Sequence, residues 1–355
     1  MDTQSVIGIG IIGFGRIGAE HAAWLAAASG ARAVAVADAT PARQLLARKH
    51  GLKVYPDAAG LLADPDVPAI LVATPTAMHF EHVSAALSAG KHVMVEKPMA
   101  LGLAQSRQLA EEAGRRGLVI SVFHNRRWDV DYLTVRQAVA SGAFGKLINV
   151  ESRLGQFSSC VGPAAKEYRP NWRNEGAFGG GGLYDWGSHF VDQIWRLLHP
   201  AMPVRVFAQL RGNLWSTDCD DFARVLIDFD NGVAALVEIN TTTNRPLPRW
   251  HIDGSQGSAS SPASLKFDTN EWAALRFTPA PERASGDADS LVPKATSGLT
   301  ETAIWEQFAA AVRGDGEPAV PVRTVLPTMA LLDAARESGA TGKAVDVTQV
   351  VEWEY

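Results

Sequence analysis

Three side chains able to handle a proton, Lys97, Asp185 and His189, stand in settings that suggest a common role. Lys97 belongs to Glu96-Lys97-Pro98, directly after the apolar run His92 to Val95. A residue that precedes proline is kept out of the helical region, so this lysine is held on an extended strand-end loop. Asp185 and His189 are four residues apart, behind Gly179-Gly180-Gly181-Gly182 and ahead of the apolar stretch Phe190 to Leu198. If they form the first turn of a helix, both side chains share one face. A carboxylate beside an imidazole raises its basicity and fixes its orientation, which suits a general base for a hydroxyl proton. Glycines just upstream let the backbone pass close to a ligand. The plainer alternatives are a surface lysine, an aspartate that caps the helix, and a core histidine.

These groups need an element that presents a reaction partner. The β-branched run Val6 to Ile12 stops at Gly13-Phe14-Gly15-Arg16-Ile17-Gly18, and the Ala- and Leu-rich stretch Ala19 to Ser29 reads as a helix. GxGxxG between a strand and a helix is a dinucleotide fingerprint: the glycines permit the tight turn, the approach of backbone N–H groups to a pyrophosphate, and close helix–strand packing. The helix dipole then favours the phosphate charge. A second apolar run, Ala33 to Ala37, ends in Asp38, where a carboxylate would accept hydrogen bonds from the adenosine ribose and repel a 2′-phosphate. NAD is therefore expected ahead of NADP, with Arg43, one helical turn further on, as a counter-argument; Asp38 as a cap ahead of Pro41 is the structural alternative. Ligands of open parallel sheets gather beyond the carboxyl ends of strands. Thr74, Pro75, Glu96 and Lys97 occupy such ends and are expected at the nicotinamide side. His79 and His82 follow, each with a capping or solvated role as a competing reading.

The helix Leu103 to Arg116 and the strand Leu118 to Phe123 complete this βα series, placing a nucleotide-binding domain at residues 1–123. Residues 124–355 then carry a helix, Tyr132 to Ser141, and alternating segments at Ile148 to Leu154, Val204 to Leu210, Phe222 to Phe229 and Val233 to Asn240. Asp230-Asn231-Gly232 marks a hairpin between the last two. Alternation of this kind describes an antiparallel or mixed sheet with one face on helices and the other open to solvent or a partner, often a second copy of the chain. Ser255 to Ser264 and Pro279 to Pro293 read as loops.

The 355 residues suffice for two domains, and 46% hydrophobic with 20% charged residues describes a packed globular body. A net charge of −5 without a basic run argues against nucleic acid. Cys160 and Cys219 are the only cysteines, so neither a disulfide framework nor a CxxC zinc site is expected. The start of the chain carries no export signal, no window is apolar enough for a membrane span, and a cytoplasmic location is expected. No metal is expected, since Lys97 can polarise a reacting oxygen.

Together, GFGRIG, TPTAMH from Thr74, AGKHVMVEKP from Ala89 and GGGGLYDWGSHFVD from Gly179 make the chain resemble the Gfo/Idh/MocA oxidoreductases. The resemblance implies an α/β Rossmann domain followed by an α+β domain with a large open, mostly antiparallel sheet, through which members pair as dimers or tetramers. It assigns Lys97, Asp185 and His189 as the substrate-side triad, with the proton carried by either Lys97 or His189. It also implies hydride transfer between nicotinamide and a carbinol or ketone carbon of a sugar, inositol or related polyol. SVFHNRRWDVD, from Ser121 to Asp131, is similar to the scyllo-inositol dehydrogenase branch, in which some NADP users lack an acid at the position of Asp38. Two rivals stand beside this reading: an enzyme that retains NAD and cleaves or epimerises a glycoside through transient oxidation, and a non-catalytic nucleotide sensor. For specificity, Arg126, Arg127, Trp128 and Tyr168 are weak candidates, while Trp172 with Arg173 reads more simply as a packing indole beside a surface arginine, and Tyr184 is open.

Overall fold

The computed structural model describes residues 6–158, 172–281, 289–296 and 298–350; Cys160 and Tyr168 lie outside them. The first part alternates strands and helices: β1 Ile7–Ile12, α1 Arg16–Ala27, β2 Ala31–Ala37, α2 Pro41–Lys49, β3 Lys53–Tyr55, α3 Ala58–Leu62, β4 Ala69–Val72, α4 His79–Ser88, β5 His92–Val95, α5 Leu103–Arg116 and β6 Ile120–Val122. All six strands pair in parallel, in the order β3-β2-β1-β4-β5-β6. Strands covered by helices on both faces need apolar side chains on both, and β1, β4 and β6 are buried at every position. The order reverses beside β1, the crevice where open sheets bind nucleotides.

The second part holds α6 Val130–Ala140, β7 Leu147–Gly155, α7 Ser188–Leu198, β8 Pro203–Arg211, β9 Phe222–Phe229, β10 Ala234–Asn240, β11 Trp250–Gly254, β12 Gly257–Ser260, α8 Thr269–Trp272, β13 Arg276–Pro279, β14 Ser290–Leu291, α9 Glu301–Arg313, α10 Leu326–Thr341 and β15 Val345–Asp346. Among the described residues its strands run β14-β13-β12-β11-β7-β10-β9-β8-β15, antiparallel except for β7 with β10. The Asp230–Gly232 turn joins β9 to β10, with Gly232 at φ +85°. The stretch read as a loop from Ser255 contains a strand, because β11 and β12 form a hairpin turning at Ser255-Gln256, and β14 lies inside the second supposed loop.

Helices α7 and α10 cover one face of this sheet. The other face is partly open, and register places Phe207, Leu226 and Leu236 side by side across β8, β9 and β10, with Leu226 43% exposed and Leu236 buried. An Arg224–Glu238 ion pair flanks them at 2.6 Å.

Both parts are stitched together. Helix α9 returns to the first domain beside α1, where Trp305 and Phe308 are buried with Leu25. Arg127 is not a surface or substrate group: its guanidinium holds both oxygens of Asp192 on α7, at 2.8 and 2.6 Å, and also reaches Thr324. Trp128 packs against the core. Burial alone pushes the Asp192 carboxyl up, but Arg127 more than offsets it and holds it at about 2, against a usual 3.8. The stabilisation this pairing gives is present above the usual value and is lost as pH falls towards 2. Arg127→Met leaves that carboxylate buried without its partner, and urea unfolding should show a loss of about 3–5 kcal/mol at neutral pH; a loss under about 1 kcal/mol would show the pair to be dispensable.

Candidate active site

A cavity of about 1270 Å³ runs from the glycine turn to the C-terminal sheet. At one end, Gly13 has φ +91°, and a Cβ there would lie 2.8 Å from the Ala73 carbonyl oxygen. A Cβ on Gly18 would lie 2.2 Å from the Gly13 oxygen, which is why helix and turn can close so tightly. Helix α1 starts at Arg16 with no side-chain cap, so its first-turn N–H groups remain free to meet a pyrophosphate. Gly13, Gly15, Arg16 and Ile17 all face the cavity.

Phe14 does not. Its ring is buried in the core, and its N–H donates to Asp38 Oδ2 at 2.7 Å. Asp38 Oδ1 accepts from Thr40 N–H at 2.8 Å, so the carboxylate pins the glycine turn and the approach to α2 while still lining the cavity. The helix cap itself falls at Thr40. Arg43 donates to the Phe14 carbonyl oxygen at 3.0 Å and covers Gly15.

At the strand ends, a buried chain of hydrogen bonds fixes Lys97. The Trp305 indole N–H, which can only donate, meets His21 Nδ1 at 3.1 Å. His21 Nδ1 therefore accepts, and Nε2 carries the proton toward Glu96 Oε1, 2.8 Å away. Glu96 Oε2 accepts from the Lys97 N–H. Burial drives the Glu96 carboxyl up, yet His21 and Lys97 more than offset it and hold it below its usual value. Glu96 thus borders the cavity while its charge is spent on positioning.

His79 behaves alike. Expected beside the cofactor, it is buried with its two nitrogens set against the carbonyl oxygens of Pro98 and Thr74, both at 2.9 Å, tying the two strand-end loops together. Both nitrogens are engaged by the protein, and the residue still lines the cavity. Thr74 and Pro75 line the cavity, with Thr74 Oγ1 3.2 Å from His82 Nδ1.

Lys97 Nζ crosses to the second domain and donates to the Asp185 carbonyl oxygen at 2.9 Å and to Oδ1 at 3.1 Å. Asp185 lies in a π-helical turn, Leu183–Gly187, rather than in a regular first turn of α7. This departs from the expected stacking of Asp185 on His189: the carboxylate serves Lys97, with Arg173 Nε 3.5 Å away. Asp220 shapes the turn, accepting from Leu183 N–H at 2.8 Å. Burial raises the Asp185 carboxyl, but Lys97 and then Arg173 outweigh it, so the group stays ionised.

His189 is buried, its Nδ1 has no partner among the described residues, and its ring meets that of His124 edge-on at 5.6 Å. Burial, followed by the charges of Lys97 and Arg126, lowers its pKa well below 6.5. Asp185 therefore does not make it more basic; the surroundings keep it neutral and able to accept a proton.

Arg173 and Trp172, read as surface and packing residues, both face the cavity, as do Arg126, Tyr184 and Trp186. The runs of glycine and aromatic residues around them gave the only local hint, because the contacts that turn them inward are long-range.

A parallel sheet with a glycine-turn nucleotide cradle, joined to a mixed sheet across a cleft holding lysine, aspartate and histidine, defines a two-domain oxidoreductase. The chain belongs to the Gfo/Idh/MocA family: the oxidoreductase NAD-binding Rossmann fold matches residues 7–124 and the GFO/IDH/MocA C-terminal domain matches residues 132–260. It is 30% identical over 346 residues to the uncharacterized oxidoreductase YdgJ of Escherichia coli (strain K12), covering 94% of this chain and 96% of that one. It is also 30% identical over 238 residues to the scyllo-inositol 2-dehydrogenase (NADP(+)) IolW of Bacillus subtilis (strain 168), covering 67% and 62%. An NAD-binding protein from Listeria innocua superposes with a TM-score of 0.85 at 28% identity, over 96% of each chain. Among the described residues, no helix is long and apolar enough to cross a membrane.

Proposed function

We propose that the protein is an NAD-dependent dehydrogenase acting on a CH–OH group of a sugar, inositol or related polyol. The observation that carries this reading is the convergence of Lys97, Asp185 and a neutral, buried His189 on the cavity that begins at the glycine turn. Bound nicotinamide would supply the hydride acceptor. Lys97 hydrogen-bonds the reacting oxygen, with Asp185 holding its ammonium in place across the cleft. His189 takes the hydroxyl proton, and ketone reduction reverses these transfers. A carboxylate at residue 38 and the cavity it faces support NAD over NADP, although one similar protein, IolW, carries NADP in its name.

His189→Ala should lower kcat by ~10²–10⁴ with little change in NADH affinity; equal losses in turnover and binding would contradict the assignment. Because His189 is already neutral at physiological pH, wild-type kcat/KM should hold its plateau as pH falls through 6.5. A break at that pH that vanishes in His189→Ala would count against it. Asp38→Ser should shift the kcat/KM ratio toward NADP at least tenfold, and an unchanged ratio would remove Asp38 from cofactor choice.

The open sheet face, with its Phe207–Leu226–Leu236 stripe, supports a homodimer or homotetramer formed through that sheet. Sedimentation velocity should give an even-numbered assembly that Leu226→Glu dissociates; a wild-type monomer at micromolar concentration would overturn this.

A further inference from the structure

The carboxylates on the substrate wall of the cavity are unevenly shared among its cations. Lys97, Arg126 and Arg173 line it as cations. Asp185 answers Lys97 and Arg173 together, at 3.1 and 3.5 Å. Glu301 also faces the cavity and is engaged by Asn125 Nδ2 at 3.1 Å. Among the described residues, Arg126 is the one of these three cations that no carboxylate lining the cavity engages.

Its only hydrogen-bonded carboxylate among the described residues is Asp129, 3.1 Å from Nη1. Burial, with Asp131 close by, raises the Asp129 carboxyl and weakens it as an anion. Arg126 Nε is buried without a partner among the described residues. The guanidinium is nonetheless held in place. It packs on the faces of Trp186 and Phe267, 4.8 and 4.2 Å from the ring centroids, and Gln193 Nε2 donates to its backbone carbonyl at 2.7 Å. A planar guanidinium held in place on a cavity wall matches a carboxylate, and little side-chain entropy is left to lose on binding. A single guanidinium matches the single charge of a carboxylate better than the double charge of a phosphate dianion.

We propose that Arg126 is the carboxylate-binding residue of the substrate site, and that the molecule oxidised is a sugar acid or carboxylated polyol; this rests on the dehydrogenase reading above. The carboxylate settles on the Arg126 guanidinium while the reacting hydroxyl meets Lys97 and His189. Neutral sugars lack that anchor and bind more weakly.

The test uses the full-length protein with NAD and matched probes: D-glucose with D-glucuronate, D-galactose with D-galacturonate, and D-glucose 6-phosphate. Turnover should favour the acid of a pair by roughly tenfold or more in kcat/KM, the scale of a hydrogen-bonded charge pair. Arg126→Gln should reduce that ratio at least tenfold, and Arg126→Lys should retain part of it. Calorimetry on the NADH complex reads binding separately and also checks that each variant still holds nucleotide. Acids that bind through Arg126 without turnover would uphold the subsite and sink the dehydrogenase reading. Turnover of neutral sugars at equal or better efficiency, a preference for the phosphate, an acid preference that survives Arg126→Gln, or no binding of either acid would each overturn the inference.

Discussion

The contact of Lys97 with Asp185 is the constraint around which the site is arranged. It spans the two domains, joining the end of β5 to the turn before α7, and it holds an ammonium on the wall of the cavity. Both side chains have 17% of their surface accessible, so the pair is shielded yet reachable. A lysine so placed would be costly to hold without its neighbours. The Trp305–His21–Glu96 chain fixes the backbone from behind, and Asp220 shapes the turn that carries Asp185. Because α9 contributes Trp305, the second domain helps to position a lysine of the first.

Local signals were readable from the residues. The strand–glycine–helix signature required only short-range sterics, and the structure has the glycine turn, β1 and α1 where those residues predict them. Leu103–Arg116 is the helix its sequence describes, and the Asp-Asn-Gly turn closes its hairpin. Mixed-sheet character followed from alternation, and the parallel sheet ends with β6, at Val122. Less visible was α9, whose amphipathic pattern does not say that it will return to pack beside α1. Strand β12, with the sequence Gly-Ser-Ala-Ser, has no strand propensity of its own and exists because β11 and β13 supply partners on both sides.

The candidate site divides in the same manner. Lys97, Asp185 and His189 do meet at one cavity, but Asp185 pairs with Lys97 rather than with His189, because a four-residue spacing implies a regular helix and a π turn lies there instead. Phe14 and Glu96 sit on the expected strand-end loops and His79 at the start of α4, with their polar groups committed to the protein itself. Spacing can place a residue at a strand end; it cannot say whether the side chain turns to the ligand or back to the scaffold. Arg173 and Arg126 illustrate the converse, since their roles depend on Asp185, Trp186 and Phe267, contacts that the residues beside them in the chain do not announce.

The central claim is that this cleft passes a hydride from a carbinol carbon to nicotinamide while its own residues handle the proton. The direct measurement is label transfer: substrates deuterated at each carbinol carbon are incubated with NAD, and the recovered nucleotide is analysed by mass spectrometry. The account predicts one deuterium per nucleotide reduced, from a single carbon, in step with ketone formed. Nucleotide that binds but returns unlabelled and oxidised, while the substrate is cleaved, epimerised or left untouched, would contradict it.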